Sequence, residues 1–214
     1  MSIYLDSAIL EEARQALGLG FVRGITTNPL LLAKAKRPAG EVLGELRQIC
    51  PGTVFYQLTA PTLDERRAEA EAILQLNLNS GPGRIALKIP ASTENMVLVD
   101  EFSRKEVKVA VTALFSLPQA YLACESGATY VVPYVNRITR LRGDGLAFVR
   151  EPAQVCQVTG RGTEVLAASI KSPEEAVCAL LVGAHHISAP LNVLLAMGYD
   201  PLSEQAVAEF AGSR

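Results

Sequence analysis

The sequence predicts an α/β protein built as a single (β/α)8 barrel that spans residues 1–214. Short apolar, often β-branched runs alternate with stretches of helical period, and the alternation repeats eight times. Strands that alternate with helices indicate a parallel sheet, and eight such units close most simply into a barrel. A doubly wound open sheet is the competing fold, but the turn after the first strand reads LDSA instead of a glycine-rich sequence.

The eight predicted strands are rich in β-branched and aromatic residues, which favour extended structure. In chain order they are IYLD (3–6), FVRGITTN (21–28), TVFYQLTA (53–60), RIALKIP (84–90), VKVAVTALF (107–115), TYVVPYV (129–135), TEVLAASI (163–170) and HHISAPL (185–191).

The segment after each strand has the period of a helix. In order these segments are SAILEEARQALG, residues 29–48, TLDERRAEAEAILQLN, TENMVLVDEFSR, SLPQAYLACESG, a helix near 145–158, SPEEAVCALLVG and a last helical region over 192–210. In the seventh helix, Ser172 and Glu175 predict a capping box, with Pro173 at the first helical position.

Composition excludes several classes of function. The formal charge is −2, from 20 basic and 22 acidic side chains, so the chain lacks the basic surface that nucleic acid requires. No apolar run is long enough to span a bilayer, and the N-terminus does not resemble a signal peptide. The four cysteines are widely spaced and have mostly apolar neighbours, so we expect buried free thiols in a cytoplasmic protein. The two histidines, His185 and His186, are adjacent and lack the spacing of metal ligands, so we expect no metal site.

Polar side chains occur where the predicted strands end, which is where a barrel places its chemistry. They are Asp6, Thr26, Asn28, Gln57, Lys88, Thr112, Tyr134, Arg137, Ser169 and Lys171. Each also has a structural interpretation. Asp6 and Asn28 could cap the following helices, Thr112 is a common strand residue, and Tyr134 could belong to the core.

Lys88 is the strongest candidate for catalysis, because RIALKIP places an ammonium in an apolar strand with no acid beside it. Lysine is almost never fully buried without a partner. Burial should lower its pKa, and a neutral amine forms Schiff bases with carbonyl compounds. Lys108 is the rival, but it stands near the start of its strand and follows Glu106 by two residues, as a solvated or paired lysine would.

The remaining candidates suit the steps that a Schiff-base lysine requires. Gln57, Thr112 and Tyr134 could hold a water that shuttles protons, and Asp6 is the only carboxylate among the strand ends.

A second group could bind an anion. Arg137, Ser169 and Lys171 suit a phosphate, with the positive end of the helix that opens at Ser172 nearby. Arg137 could equally be a surface residue of NRITRLRG.

The motifs LDSA, GITTNPLLL, FYQLTA, ALKIPAS, VAVTALFSLPQA, ATYVVPYVNRI and VLAASIKSP together resemble the transaldolase family, in order and at family spacing from Ile3 to about residue 192. The chain is most similar to the small, single-domain branch that includes fructose-6-phosphate aldolase. The resemblance implies sugar-phosphate and aldehyde substrates, no metal, no organic cofactor, and a homo-oligomer, either a pentamer or a decamer.

The resemblance also implies roles for individual residues. Lys88 matches the Schiff-base lysine, Asp6 the acid–base group at the C–C bond, and Thr112 the threonine that holds the catalytic water. Thr26 and Asn28 match the donor-binding segment, in which Asn28 contacts the donor's hydroxyls. The phosphate-binding group is matched by Arg137, Ser169 and Lys171.

Two positions indicate the subtype. Transaldolases proper resemble one another in having glutamate at the Gln57 position and phenylalanine at the Tyr134 position, whereas this chain has the pairing of the aldolase type. A tyrosine hydroxyl beside the catalytic water can assist hydrolysis of the dihydroxyacetone imine and so release free dihydroxyacetone. Without it, the imine would persist until an aldose acceptor removes the three-carbon unit.

The chain departs from the family pattern in two places. Val132 stands where Ala or Ser is frequent and is expected to crowd the donor pocket. The chain ends soon after AVAEF, shorter than the family's C-terminal helix, so the helix expected at about 203–214 leaves its packing on a neighbouring subunit open.

Three hypotheses follow. The first is an aldolase that cleaves fructose 6-phosphate to dihydroxyacetone and glyceraldehyde 3-phosphate. The second is a transaldolase that passes dihydroxyacetone to erythrose 4-phosphate. The third is a catalytically silent barrel that binds a sugar phosphate, against which intact Lys88, Asp6 and Thr112 argue.

Overall fold

In a computed structural model that describes residues 1–212, the eight strands form one closed parallel barrel in chain order. The strands are β1 (Ser2–Asp6), β2 (Val22–Thr26), β3 (Thr53–Gln57), β4 (Arg84–Pro90), β5 (Val109–Leu114), β6 (Tyr130–Pro133), β7 (Glu164–Ala167) and β8 (His186–Ala189). The barrel closes where β1 pairs in parallel with β8, with Leu5 opposite Ala189. The predicted fold class, a single-domain (β/α)8 barrel, is confirmed.

Helices surround the barrel. They are α1 (Leu10–Gly18), α2 (Pro29–Lys34), α3 (Ala39–Ile49), α4 (Leu63–Leu74), α5 (Met96–Arg104), α6 (Leu117–Glu125), α7 (Val135–Arg142), α8 (Gly145–Thr159), α9 (Pro173–Leu181), α10 (Leu191–Ala196) and α11 (Pro201–Gly212). A 3-10 turn (Gln75–Leu78) extends α4. None of the helices within residues 1–212 combines the length and the apolar character needed to span a bilayer.

The apolar core has two parts because side chains alternate between the two faces of each strand. Outward-facing residues such as Leu5, Ile25 and Val54 pack against the helices. A smaller cluster fills the barrel itself. It consists of Tyr4, Phe55, Ala86, Ala110, Tyr130, Val132, Leu166 and Ala168, with Tyr134 packed against it.

Aromatic rings fill the amino end of the barrel. The ring centroids of Tyr4 and Phe55 lie 5.6 Å apart, and those of Phe55 and Tyr130 lie 5.7 Å apart, both edge to face. Such a pair contributes about 0.5–1.5 kcal/mol beyond the burial of its surface. Gly24 makes room for this packing, since a Cβ there would lie 2.7 Å from the Tyr4 ring and 2.5 Å from the Thr53 carbonyl oxygen.

Two stretches that the sequence predicted as continuous helices are each broken in two. Over residues 29–48, the chain leaves α2 through Lys36, whose φ of 52° is left-handed, and α3 begins after Pro38. Over residues 192–210, α10 ends at Ala196 and α11 starts at Pro201. Pro201 suits the first position of α11, because the N–H that proline lacks would have no partner there.

The sixth strand–helix unit also differs from its prediction. The strand ends at Pro133 instead of residue 135, and the unpredicted helix α7 begins at Val135. Val135 and Ile138 are the buried residues of α7, at the i, i+3 spacing of a helix. The period was hidden because Val135 also continues the apolar run of the strand.

The predicted capping box of α9 is only half formed. The Ser172 side chain accepts a hydrogen bond from the Glu175 amide, and Pro173 occupies the first turn as expected. The Glu175 carboxylate instead accepts from the amide of Lys171 at 2.6 Å.

The predicted helix at about 203–214 corresponds to α11, whose last described residue is Gly212. Residues 213 and 214 of that prediction lie outside the described residues.

Candidate active site

A cavity of about 470 Å³ opens at the carboxyl end of the barrel. Eight of the ten side chains predicted from the strand ends line it, namely Asp6, Asn28, Gln57, Lys88, Tyr134, Arg137, Ser169 and Lys171. The other two, Thr26 and Thr112, are buried directly behind this lining. The strand-end rule therefore brings together residues that are up to 165 positions apart in the chain (171 − 6).

A larger cavity of about 890 Å³ lies at the opposite end, where α8 and α9 lead into β7 and β8. It contains none of the predicted residues, and its side chains Arg150, Gln154 and Gln157 are exposed. The smaller cavity is the candidate active site because it contains a buried amine together with a carboxylate.

Lys88 is the fifth residue of β4 and only 4% exposed. Its Nζ donates a hydrogen bond to the carbonyl oxygen of Thr27 at 3.0 Å, which fixes the position of the amine. No salt bridge involves Lys88 within residues 1–212. Burial lowers the pKa of Lys88, and the negative charge of Asp6 only partly opposes this. The site therefore holds an amine that is easily made neutral and hence nucleophilic.

Asp6 ends β1 and lines the cavity. Its Oδ1 accepts a hydrogen bond from the hydroxyl of Thr26 at 2.8 Å. Thr26 is 2% exposed and sits behind Asp6, so this geometry gives it a contact with the carboxylate and none with the cavity. Asp6 is the carboxylate placed to exchange a proton with a molecule bound beside Lys88.

Thr112 and Tyr134 form a second pair on the facing wall. Their hydroxyl oxygens lie 2.7 Å apart, and Thr112 is fully buried. Burial raises the pKa of Tyr134, opposed by the hydrogen bond with Thr112 and by the charge of Arg137. The Arg137 guanidinium lies 4.9 Å from the centre of the Tyr134 ring. Gln57 stands opposite Lys88 in the β3–β4 register and completes this wall.

Asn28 combines the two interpretations that the sequence left open. Its Oδ1 accepts from the amide of Leu31 at 3.0 Å and so caps α2. The same residue lines the cavity, where its amide NH2 group can donate to a bound hydroxyl. Capping fixes the side chain, so the structural role supports a binding role.

The rim of the cavity is cationic. Arg137 and Lys171 lie there as predicted, together with Lys34 from α2. Lys34 was not among the predicted rim residues, because it lies within the helical stretch 29–48 and not at a strand end. The signal was available in the sequence, since α2 begins directly after the strand end at Asn28. The uncharged Ser169, whose φ of 61° is left-handed, lies beside these cations in the cavity lining.

One part of the predicted anion site is not free. The first turn of α9 carries Glu174 and Glu175, and the Glu175 amide already donates to the Ser172 side chain. The positive end of this helix is already neutralised by its own carboxylates. An anion at the rim must therefore be held by side chains.

Val132 is 1% exposed and packs inside the barrel, opposite Thr112 in the β5–β6 register. It belongs to the interior cluster and does not line the cavity. Among residues 1–212, no group of three or more His, Cys, Asp or Glu side chains is placed to hold a metal ion.

Comparison with known proteins identifies the family to which this chain is similar. Residues 3–212 match the model of the transaldolase/fructose-6-phosphate aldolase family. A probable transaldolase of Herpetosiphon aurantiacus is 36% identical over 98% of this chain and 93% of its own length. A probable transaldolase of Sorangium cellulosum is 33% identical over 98% and 95%, and probable transaldolase 1 of Listeria monocytogenes is 32% identical over 98% and 96%.

These matches run from the first strand to the last helix, so they include every element that supplies a residue to the cavity. A buried strand lysine beside a carboxylate agrees with the Schiff-base chemistry of that family. The chain therefore belongs to the transaldolase/fructose-6-phosphate aldolase family, whose members are Schiff-base-forming enzymes.

Proposed function

We propose that this chain is a class I aldolase that reversibly cleaves fructose 6-phosphate to dihydroxyacetone and glyceraldehyde 3-phosphate. The observation that carries the proposal is the hydroxyl pair of Thr112 and Tyr134, 2.7 Å apart, in the wall of the cavity that holds the buried Lys88 amine. Such a pair can position the water that frees the product from the enzyme and accept a proton from it as it adds to the imine.

The reaction begins when the Lys88 Nζ lone pair attacks C2 of the open-chain ketose. The carbinolamine that forms loses its hydroxyl as water and becomes a protonated imine. The proton that this water carries away comes through Tyr134, with Thr112 and Gln57 holding the water in place. A neutral Lys88, favoured by burial, is required for the attack.

Cleavage of the C3–C4 bond follows. Asp6 accepts the proton of the C4 hydroxyl, the C4–O bond becomes a carbonyl, and the bonding electrons of C3–C4 move toward the iminium. Glyceraldehyde 3-phosphate leaves, and an enamine stays on Lys88. Asp6 returns the proton to C3, which gives the dihydroxyacetone imine.

Hydrolysis completes the cycle, because one water adds back to C2 and replaces the water lost at the start. Tyr134 and Thr112 activate that water, and dihydroxyacetone leaves as Lys88 recovers its amine. No external oxidant, reductant or metal enters this balance.

The cationic rim suits the phosphate of the substrate. Arg137, Lys171 and Lys34 surround the mouth, with the Ser169 hydroxyl among them. Guanidinium and ammonium donors bind phosphate oxygens strongly, and the Arg137 guanidinium already lies over the Tyr134 ring. The phosphate at this rim would orient the ketose with C2 toward Lys88.

Transaldolase activity is the second candidate. The relatives at 32–36% identity are called probable transaldolases, which favours transfer of dihydroxyacetone to an aldose such as erythrose 4-phosphate. The two activities share every step up to the enamine and differ only in whether water or an aldose completes the reaction.

The test is release of glyceraldehyde 3-phosphate from fructose 6-phosphate with and without erythrose 4-phosphate. Multiple turnovers without acceptor would support the aldolase. Turnover only with acceptor would show a transaldolase, and the Gln57–Tyr134 pairing would then not decide the subtype. Borohydride trapping of dihydroxyacetone on Lys88, read by mass spectrometry, tests the shared chemistry, and an unmodified Lys88 would rule out both.

We also propose that α11 packs on a second copy of this chain. Leu202, Val207 and Phe210 are 75%, 64% and 75% exposed, and no residue of α11 up to Gly212 is buried. An apolar surface of this kind on one helix is typical of an oligomer contact. Light scattering on the full chain, compared with Phe210→Asp, should show a smaller particle for the variant, and equal masses would contradict the proposal.

We also propose that the protein is cytoplasmic, and the state of its cysteines supports this location. Within the described residues all four thiols are free, and Cys50, Cys124 and Cys156 are buried. Free buried thiols suit a reducing environment.

A further inference from the structure

We propose that Ser188 is a positioning residue for the reaction, and that it acts on Asp6 through the hydroxyl of Thr26. The inference rests on the proposed function, in which Asp6 moves the proton of C–C cleavage. Ser188 lies on β8, a strand that supplies no residue to the cavity lining. Its effect would therefore be indirect.

The three side chains form a continuous chain of hydrogen bonds. The Ser188 Oγ lies 2.6 Å from the Thr26 Oγ1, which lies 2.8 Å from the Asp6 Oδ1. Ser188 and Thr26 are 1% and 2% exposed, so water does not compete for these contacts. The chain crosses three strands that barrel closure makes neighbours, since β1 pairs with both β2 and β8.

Counting protons fixes the direction of each bond. An ionised carboxylate only accepts, so Thr26 must donate its single proton to Asp6. The Thr26 oxygen then accepts at the short contact, which makes Ser188 the donor. The other acceptor near Thr26, the Leu5 carbonyl oxygen, is at 3.5 Å and too long to compete.

Ser188 also strengthens the contact at Asp6. Because it donates to the Thr26 oxygen, it polarises the Thr26 hydroxyl and so strengthens the hydrogen bond that Thr26 donates to Oδ1. Replacing Ser188 with Ala removes this polarisation and leaves the Thr26 oxygen without its buried donor.

The chain also sets the orientation of the carboxylate. Oδ1 is held by Thr26, while Oδ2 receives no hydrogen bond from residues 1–212 and remains available to the cavity. The charged and titratable groups that face Asp6 from other strands are Lys88 on β4 and Tyr134 after β6. Substitutions at Ser188 leave both of these in place.

The experiment compares Ser188→Ala with Ser188→Thr, which keeps a hydroxyl. Because Asp6 loses orientation and the support of its charge, Ser188→Ala should lower kcat for cleavage about tenfold with KM changed less than twofold. Ser188→Thr should recover kcat to within about threefold of the parent.

A double-mutant cycle keeps the inference testable if Ser188→Thr folds poorly. In a Thr26→Val background the chain is already broken, so adding Ser188→Ala should change kcat less than twofold. Thr163→Ala is the matched control, since it removes a buried hydroxyl at the amino end of β7, where Thr163 donates to the Ala128 carbonyl oxygen. It should leave kcat and KM unchanged.

The outcomes separate this inference from the proposed function. If the parent protein forms no borohydride-trapped adduct on Lys88, the proposed function fails first. If the adduct forms and the parent turns over, but Ser188→Ala keeps the parent's kcat, the inference is wrong. Equal losses for Ser188→Ala in the parent and in the Thr26→Val background would also overturn it, since they would indicate a packing effect of β8.

Discussion

The two ends of the barrel interior contain similar side chains in opposite circumstances. At the amino end, the His186 Nε2 lies 2.8 Å from the Glu164 Oε2, and the rings of Tyr4 and Tyr130 stand edge to face with the His186 ring. At the carboxyl end, Lys88 has no carboxylate partner within residues 1–212 and faces a cavity. The amino end engages its ionisable groups within the protein, although the His186 Nδ1 has no hydrogen-bond partner among residues 1–212, and the carboxyl end leaves its amine facing the cavity.

The difference arises over two residues on the same strands. Tyr4 precedes Asp6, Ala86 precedes Lys88, and His186 precedes Ser188, each pair pointing into the barrel. The first residue of each pair packs inside the barrel, and the second lies at the candidate site or directly behind it. In a short barrel, one inward-facing residue of a strand can therefore contribute to packing and the next inward-facing residue to the chemistry. Substitutions at the two ends should therefore have separate effects.

The largest expected effect is the loss of activity on replacing Lys88. Lys88→Arg keeps a cation of similar length but one that stays protonated, so it cannot form the imine. We expect cleavage to fall by roughly 10⁴-fold or more. Turnover assays and borohydride trapping check this, and the exposed Lys108→Arg serves as the control that should keep full activity.

The next effect concerns Tyr134. Tyr134→Phe removes the hydroxyl 2.7 Å from Thr112 and should slow the release of free dihydroxyacetone about 100-fold, with a smaller loss of transfer to erythrose 4-phosphate. The ratio of the two rates in one assay gives the result. Tyr56→Phe is the control, since it removes a hydroxyl that bonds Glu69 outside the cavity. Equal losses of release and transfer would contradict the shuttle role.

The rim should affect binding more than chemistry. Arg137→Ala should raise KM for fructose 6-phosphate about tenfold, and Lys34→Ala about threefold, with kcat little changed in both. Neither change should affect KM for an unphosphorylated ketose. Michaelis–Menten analysis with both substrates checks this, and equal KM increases for the two would argue against phosphate binding at the rim.

Lys88→Met should stabilise the fold while removing activity. Because burial lowers the pKa of Lys88, the unfolded chain binds its proton more tightly, and the folded protein is penalised below the ordinary lysine pKa near 10.4. The free energy of unfolding should rise by about 1 kcal/mol at pH 7. The gain should shrink as pH approaches 10, and a destabilised variant in urea titrations would be the contrary result.

The smallest effect lies at the amino end. Burial lowers the pKa of His186, and Glu164 only partly opposes this. As pH falls below about 6.5, the unfolded chain takes up a proton that the folded chain resists, so stability falls. His186→Phe should flatten the change in unfolding free energy between pH 7 and pH 5 and leave kcat intact. An unchanged slope would show that other groups cause the loss.

The fold and most of the site could be predicted because they follow from simple periods. Alternation of strands and helices specifies the barrel, and the strand-end rule locates Asp6, Gln57 and Lys88 without knowledge of contacts. Lys88 is conspicuous because an ammonium in an apolar strand conflicts with its surroundings. Residues that break a local pattern are the ones that sequence reasoning finds.

The remainder could not be predicted because it depends on closure or on ambiguous patterns. Ser188 is a small residue in a short strand. Its hydroxyl contacts Thr26 only because β8 pairs with β1 when the barrel closes. The start of α7 was hidden because Val135 fits both a strand and a helix. Glycine is the residue that usually adopts a left-handed backbone, so nothing in the sequence indicates that Lys36 has a left-handed φ.

Closure of the barrel by its last strand also has a consequence during synthesis. Thr26 and Ser188 lie 162 residues apart, a length that a ribosome needs roughly 8 to 32 s to translate. Throughout that interval β1 has an open edge, and the apolar run Ile3–Leu5 can pair with another nascent chain. The edge of β1 is therefore protected only at the end of synthesis, and Asp6 acquires its full set of neighbours only when the last strand is made.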